Sequence, residues 1–136
     1  MGLFNVFDVS GSAMNAQTVR LNTIASNMAN AESVSGTPED VYKAKSPVFE
    51  TLLKQESNKN SVGVNIKEII ESEAAPIIRY EPNHPLADAQ GNVYLPNINT
   101  VEEMANMMSA SRSYQNNVEV FNTSKQLLMQ TINMGR

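Results

Sequence analysis

His84 is the only histidine in this 136-residue chain, set in Pro82-Asn83-His84-Pro85 with Asp88 four residues after it and Tyr80 four residues before. An imidazole beside a carboxylate, oriented by a phenol, is the smallest set that could act as a general base or bind a metal. No serine-histidine-acid order accompanies it, and one imidazole with scattered carboxylates is a poor metal donor set. Between two prolines, His84 reads better as a turn residue. Glu68, Glu71 and Glu73 make a carboxylate-rich run without the spacing of a calcium loop, which predicts a solvent-facing surface. The six glycines are isolated, and Gly11 fits neither the nucleotide nor the dinucleotide phosphate-binding pattern. Lys43 and Lys45 beside Tyr42 resemble a basic-aromatic patch, but two bases cannot supply the several phosphate contacts that nucleic-acid binding uses. With no cysteine, thiolate metal sites, disulfides and cysteine nucleophiles are excluded. These residues predict no enzyme, no cofactor, no metal and no nucleic-acid partner.

Function must then lie in the elements themselves. Charged residues make up 18% of the chain and the net charge is -4, which indicates neither a polybasic surface nor a strongly acidic tail. No stretch approaches the roughly 20 apolar residues needed to cross a bilayer, and no basic segment followed by an apolar run opens the chain. Neither a membrane span nor a cleavable signal peptide is expected. All six prolines lie between Pro38 and Pro96, whereas all eight methionines lie in the two ends. Residues 1–31 carry only Asp8 and Arg20 as charges, and residues 101–136 carry three acids and three bases. The middle holds ten acids against six bases and so carries the whole net charge. Ends with so little charge predict helices covered on more than one side.

Phe7, Met14, Leu21 and Met28 form a row at sevenfold spacing, flanked by Ile24 and Ala31, which predicts one helix over residues 1–31. Ser10 or Ser12 is a candidate cap, and Gly11 a candidate break or close-contact position. At the other end Met107, Tyr114, Phe121 and Leu128 repeat every seven residues. Met104, Ser111, Val118 and Ile132 make a companion row interrupted at Lys125. Thr100 and Glu103 suggest a capping box, and Gly135 a stop, so a helix is predicted from about Val101 to about Ile132. The 3.5-residue repeat of both stripes predicts a left-handed, coiled-coil-like pair. If the pair is antiparallel, Phe121 is expected opposite Leu21 or Ile24. The remaining helix faces carry many Asn and Gln; Asn is a mediocre helix former, and both amides can hydrogen-bond to other subunits without burying charge.

Residues 32–100 read as loops and short strands. Ser33 to Asp40 predicts a turn, Glu56 to Ser61 a polar interruption, and Val62, Val64 and Ile66 alternate as in a strand. Ile78 with Tyr80, and Val93 with Leu95, suggest partner strands of one small sheet, separated by the turn-rich Glu81 to Gly91. The expected fold is mainly α, with a small β-containing middle domain and paired terminal helices in a coiled-coil-like bundle.

The segments Ser10-Gly11-Ser12-Ala13-Met14-Asn15-Ala16-Gln17 and Leu21-Asn22-Thr23-Ile24-Ala25-Ser26-Asn27-Met28-Ala29-Asn30-Ala31 closely resemble the amino-terminal motif of bacterial flagellar rod, hook and hook-filament junction proteins. Pro47-Val48-Phe49, Gly63-Val64, His84-Pro85, Ala87-Asp88, Tyr94-Leu95-Pro96-Asn97 and the tail from Ser109 to Gln126 narrow the resemblance to proximal-rod members. Glu32 and Ser33 after Ala31, and Asp40-Val41-Tyr42-Lys43-Ala44-Lys45 in place of a glycine-rich stretch with a basic pair, depart from the family pattern. The resemblance implies a structural subunit stacked helically in the proximal rod, with residues 1–31 and 101–136 as rod-core helices and residues 32–100 outside. It implies self-association and contact with other rod subunits, the basal-body ring and its rod-junction protein, and the type III export apparatus during assembly. The implied location is the rod spanning the periplasm, reached without a cleavable signal peptide. A different class of function is an export adaptor or chaperone that binds subunits through the methionines of the last helix, Met104, Met107 and Met108. That reading requires these side chains to be accessible.

Overall fold

The computed structural model describes residues 3–56 and 59–135. Helix α1 spans Leu3–Asn30, strands β1 and β2 span Lys45–Glu56 and Lys59–Glu71, β3 and β4 span Ile77–Tyr80 and Asn92–Leu95, and helix α2 spans Thr100–Met134. Two helices therefore flank a small β-containing middle.

α1 starts earlier than the serines at 10 and 12 suggested. Ser10 is buried inside the helix, and the Ser12 hydroxyl donates to the Val9 carbonyl at 2.9 Å instead of capping. Gly11 is neither a break nor a close contact, since a Cβ there would meet nothing within 4 Å. The apolar periodicity outweighs one interior glycine, which costs about 1 kcal/mol. α2 is capped one residue before the expected box. Asn99 Oδ1 accepts from the backbone N–H of Val101 at 3.1 Å and Glu102 at 3.4 Å, while Thr100 is already helical. Freed from capping, Glu103 turns toward α1. At the other end Gly135 closes the helix, its N–H donating to the Ile132 carbonyl at 3.3 Å.

The strands form two separate two-stranded antiparallel sheets, not one. β3 and β4 pair as the alternation suggested, from Ile77 opposite Leu95 to Tyr80 opposite Asn92. β2, however, pairs with β1, running from Lys45 opposite Glu71 to Glu56 opposite Lys59 with a bulge between Val48 and Phe49. Pro47 and incomplete alternation hide β1 from a period-2 reading. Glu56 and Lys59 to Ser61 continue the strands where a polar interruption was expected, and residues 57–58 lie outside the described residues. Ser35, in the expected Ser33 to Asp40 turn, adds an isolated antiparallel bridge to Tyr94 with backbone bonds of 2.9 and 3.0 Å.

The turn between β3 and β4 is organised by one carboxylate. Asp88 Oδ1 accepts from the N–H of Asn92 at 2.8 Å and of Gln90 at 2.9 Å, and Oδ2 accepts the Tyr94 hydroxyl at 3.0 Å. Gly91 completes it with φ of 80°, in the left-handed region where a side chain is strained. Val93 beneath this turn is fully buried.

α1 packs against α2 on one side and against the β1–β2 hairpin on another. α2, with 35 residues against 28, is about 52 Å long to the about 42 Å of α1.

Candidate assembly interface

Three pairs show that α1 and α2 run antiparallel. Phe7 meets Phe121 with ring centroids 4.9 Å apart at 74°, Arg20 Nη2 donates to Asn106 Oδ1 at 3.4 Å, and Asn27 Nδ2 donates to Glu103 Oε2 at 3.1 Å. Phe121 therefore faces Phe7, about 14 residues from the expected partner Leu21. The turn-rich middle returns α2 beside the end of α1, so residues near 103 meet residues near 27. Every position further along is fixed by that start.

The seam differs in composition from the apolar stripes that announced it. Met107, Phe121 and Leu128 are half-buried, and Tyr114 lies at the edge with 36% exposure. The second row facing α1 is Glu103, Ala110, Asn117 and Ser124, small and polar. Ala110 is fully buried, and its size permits close helix approach. Met104 and Ile132, of the expected companion row, are 52% and 60% exposed, while Ser111 and Val118 are half-buried at the flank. On α1, Ile24 is buried and Phe7, Met14, Leu21 and Met28 are each half-buried, and Ala31, just past the end of the helix, is buried. Within the second row of α2, Glu103 is answered by Asn27 of α1, while Asn117 Nδ2 donates back to the Ser113 carbonyl of its own helix at 2.8 Å, so polar groups are satisfied without an apolar stripe.

Much of the apolar surface of α2 lies away from this seam. Val101, Met104 and Met108 are exposed along its first half, and Val120, Leu127 and Met134, seven apart, along its second. Ala110 is the only buried residue of the helix. A shallow groove beside Met108, lined by Ala105, Ser109, Arg112 and Ser113, runs along the same side.

Polar residues at the other end of the pair were not anticipated as a site. Asn27, 2% exposed, joins α1 to Tyr42, Lys45 and Glu103. Its burial had a sequence signal in the pattern, since Asn27 lies one turn from Ile24 and Ala31 on the same face. Gln17 Oε1 is buried with no hydrogen-bond partner among the described residues.

His84 takes the turn role. Its Nδ1 accepts the Leu86 N–H at 3.1 Å, and Asp88 is occupied by the turn backbone and Tyr94. The N–H of Asn92 chiefly holds the Asp88 carboxyl below its ordinary range, against partial desolvation and with help from Tyr94 and Gln90. The bond to Asp88 in turn raises the Tyr94 phenol above its ordinary value. Among the described residues no group of three or more His, Asp or Glu could hold a metal ion, and no helix is long and apolar enough to cross a membrane. His84, Asp88 and Tyr94, the residues that could have formed a site, are engaged in holding the turn.

Known proteins share these elements. The family described as flagella basal body rod protein matches residues 7–36, and the family described as flagellar basal body rod FlgEFG protein C-terminal matches residues 89–134. Over all 136 residues, covering 100% of both chains, the sequence is 48% identical to the flagellar basal-body rod protein FlgC of Escherichia coli O157:H7 and to that of Salmonella typhimurium strain LT2. It is 43% identical over 133 residues, 96% of each chain, to the flagellar basal-body rod protein FlgC of Aquifex aeolicus strain VF5. Helices at both ends, a rod-family match over each and full-length identity across the middle place this chain in the flagellar basal-body rod protein family, as a structural protein of the flagellum.

Proposed function

We propose that this chain is a structural subunit of the proximal rod, stacked helically around the export channel and carrying motor torque toward the distal rod and hook. The observation that carries the reading is the apolar surface of α2 outside its seam with α1, above all Met108 and Leu127, which are 60% and 51% exposed. Burying about 25 cal/mol per Å² of such surface against other copies and other rod subunits favours assembly. In this reading the paired helices complete a coiled-coil-like bundle only in the rod, and residues 32–100 lie outside it. The basal-body ring, its rod-junction protein and the type III export apparatus complete the proposed partners. The location is the rod crossing the periplasm, reached by flagellar export.

Two of the three methionines of the export-adaptor reading are accessible, Met104 at 52% and Met108 at 60% exposure, while Met107 is half-buried at the seam. The family assignment favours the rod. Met108→Asp and Leu127→Asp separate the two, because both sites are exposed and the subunit is expected to fold normally. Each variant is expected at normal cellular level but depleted from isolated basal bodies, while Glu119→Gln incorporates. Normal incorporation of both aspartate variants would refute the α2 surface as the assembly face. An adaptor would instead be absent from wild-type basal bodies altogether.

A further inference from the structure

The Asn27 side chain uses its full hydrogen-bonding capacity. Nδ2 donates to the Lys45 carbonyl at 2.9 Å and to Glu103 Oε2 at 3.1 Å, while Oδ1 accepts the Lys45 N–H at 2.8 Å and the Tyr42 hydroxyl at 3.1 Å. An amide offers two N–H donors and two lone pairs, so nothing is left over. With Tyr42 donating to Asn27, the Ser26 hydroxyl 3.0 Å away donates to Tyr42. The residue is 2% exposed, while its partners Tyr42, Lys45 and Glu103 are half-buried.

The geometry around Lys45 gives the arrangement its meaning. Lys45 is the first residue of β1 and stands opposite Glu71, while the ladder bond at this end joins the Ser72 N–H to the Ala44 carbonyl at 2.8 Å. In an antiparallel pair, hydrogen-bonded and non-hydrogen-bonded positions alternate. The N–H and C=O of Lys45 therefore point away from β2, as unpaired edge groups. Asn27 satisfies both with one amide, as the peptide group of a third strand would. The same Nδ2 holds the first turn of α2 through Glu103.

We propose that Asn27 is the positioning residue of the subunit. Its amide replaces a missing strand neighbour on Lys45 and ties the base of the hairpin and the start of α2 to one point on α1. Because α1 and α2 are antiparallel, fixing Glu103 beside Asn27 also sets the register that brings Phe121 to Phe7. The resulting pose fixes the outward surfaces that neighbouring copies meet, a consequence that rests on the rod reading.

Residue-resolved amide exchange on the full-length soluble chain tests the clamp without reference to assembly. In Asn27→Ala, protection of the Lys45 amide is expected to fall about tenfold or more. Asn27→Asp keeps the acceptor for Lys45 N–H and Tyr42 but loses both donors and faces Glu103 with a second carboxylate, so protection in the first turn of α2 is expected to fall as well. Adding Glu103→Gln returns a donor, now from position 103 to position 27, and is expected to restore most of that α2 protection. Rescue by reversed hydrogen-bond direction would not follow from volume or general stability. Unchanged Lys45 protection in Asn27→Ala, or no gain in the double variant over Asn27→Asp, overturns the proposal. Should Asn27→Ala fail to fold, the aspartate pair decides it. Incorporation of the variants into basal bodies tests the consequence: wild-type incorporation of a loosened Asn27→Asp would show that the clamp does not position the assembly surfaces. Absence of wild type from the rod would instead sink the rod reading and leave the exchange result standing.

Discussion

Truncating Phe7 and Phe121 to alanine, singly and together, tests the register of the helix pair. The rings meet edge to face at 4.9 Å and 74°, a geometry expected to contribute about 0.5–1.5 kcal/mol beyond the area it buries. Both side chains are half-buried. Each single truncation should therefore cost about half the 3–5 kcal/mol of a fully buried ring, or about 1.5–2.5 kcal/mol. The double variant is expected to lose less than the sum by the pair's own contribution. Leu21 lies 14 residues along α1 from Phe7, about 21 Å away, so Leu21→Ala and Phe121→Ala should add within about 0.5 kcal/mol. Urea unfolding of the full-length chain followed by helical circular dichroism supplies the free energies. Strict additivity of Phe7 and Phe121, or coupling of Phe121 to Leu21 or Ile24 in its place, would refute the register derived from the three contact pairs.

Two further outcomes test the β3–β4 turn. Asp88 has a lowered carboxyl pKa in the folded state, so its contribution is fully present above the unfolded value and is lost as pH falls through the folded one. Between neutral pH and the region below about pH 4, Asp88→Asn should therefore lose less stability than the wild type, read as the change in urea midpoint; an equal acid loss would show that the carboxylate does not organise the turn. Gly91→Ala should destabilise by about 1–3 kcal/mol, because φ is positive and the new Cβ would lie 3.0 Å from Tyr80 Cε2 and 3.1 Å from Pro82 Cβ. A thermal midpoint equal to the wild type would argue against that backbone conformation.

The amino-acid sequence determined the helices at both ends. Sevenfold rows such as Phe7 to Met28 and Met107 to Leu128 state a local period that any folded environment must respect. It also determined the β3–β4 pair through alternation, and the turn nature of the segment around His84 through its prolines. Tertiary structure decided what local period cannot encode. Which residue of α1 meets Phe121 depends on where the chain re-enters after residues 31–99, so the pairing with Phe7 follows from the anchoring of Glu103 at Asn27. β1 was hidden because its partner lies across a hairpin and Pro47 breaks its pattern, and only cross-strand bonding identifies it. Beside the row of Met107, Phe121 and Leu128, the second row that α2 buries is Glu103, Ala110, Asn117 and Ser124 and not Met104 and Ile132, because close approach at Ala110 and the Asn27 bond at Glu103 set its rotation. Asn27 carries the same lesson: a polar residue in an apolar-spaced position becomes the most connected side chain of the junction only once Lys45 and Glu103, distant in sequence, supply the groups that satisfy it.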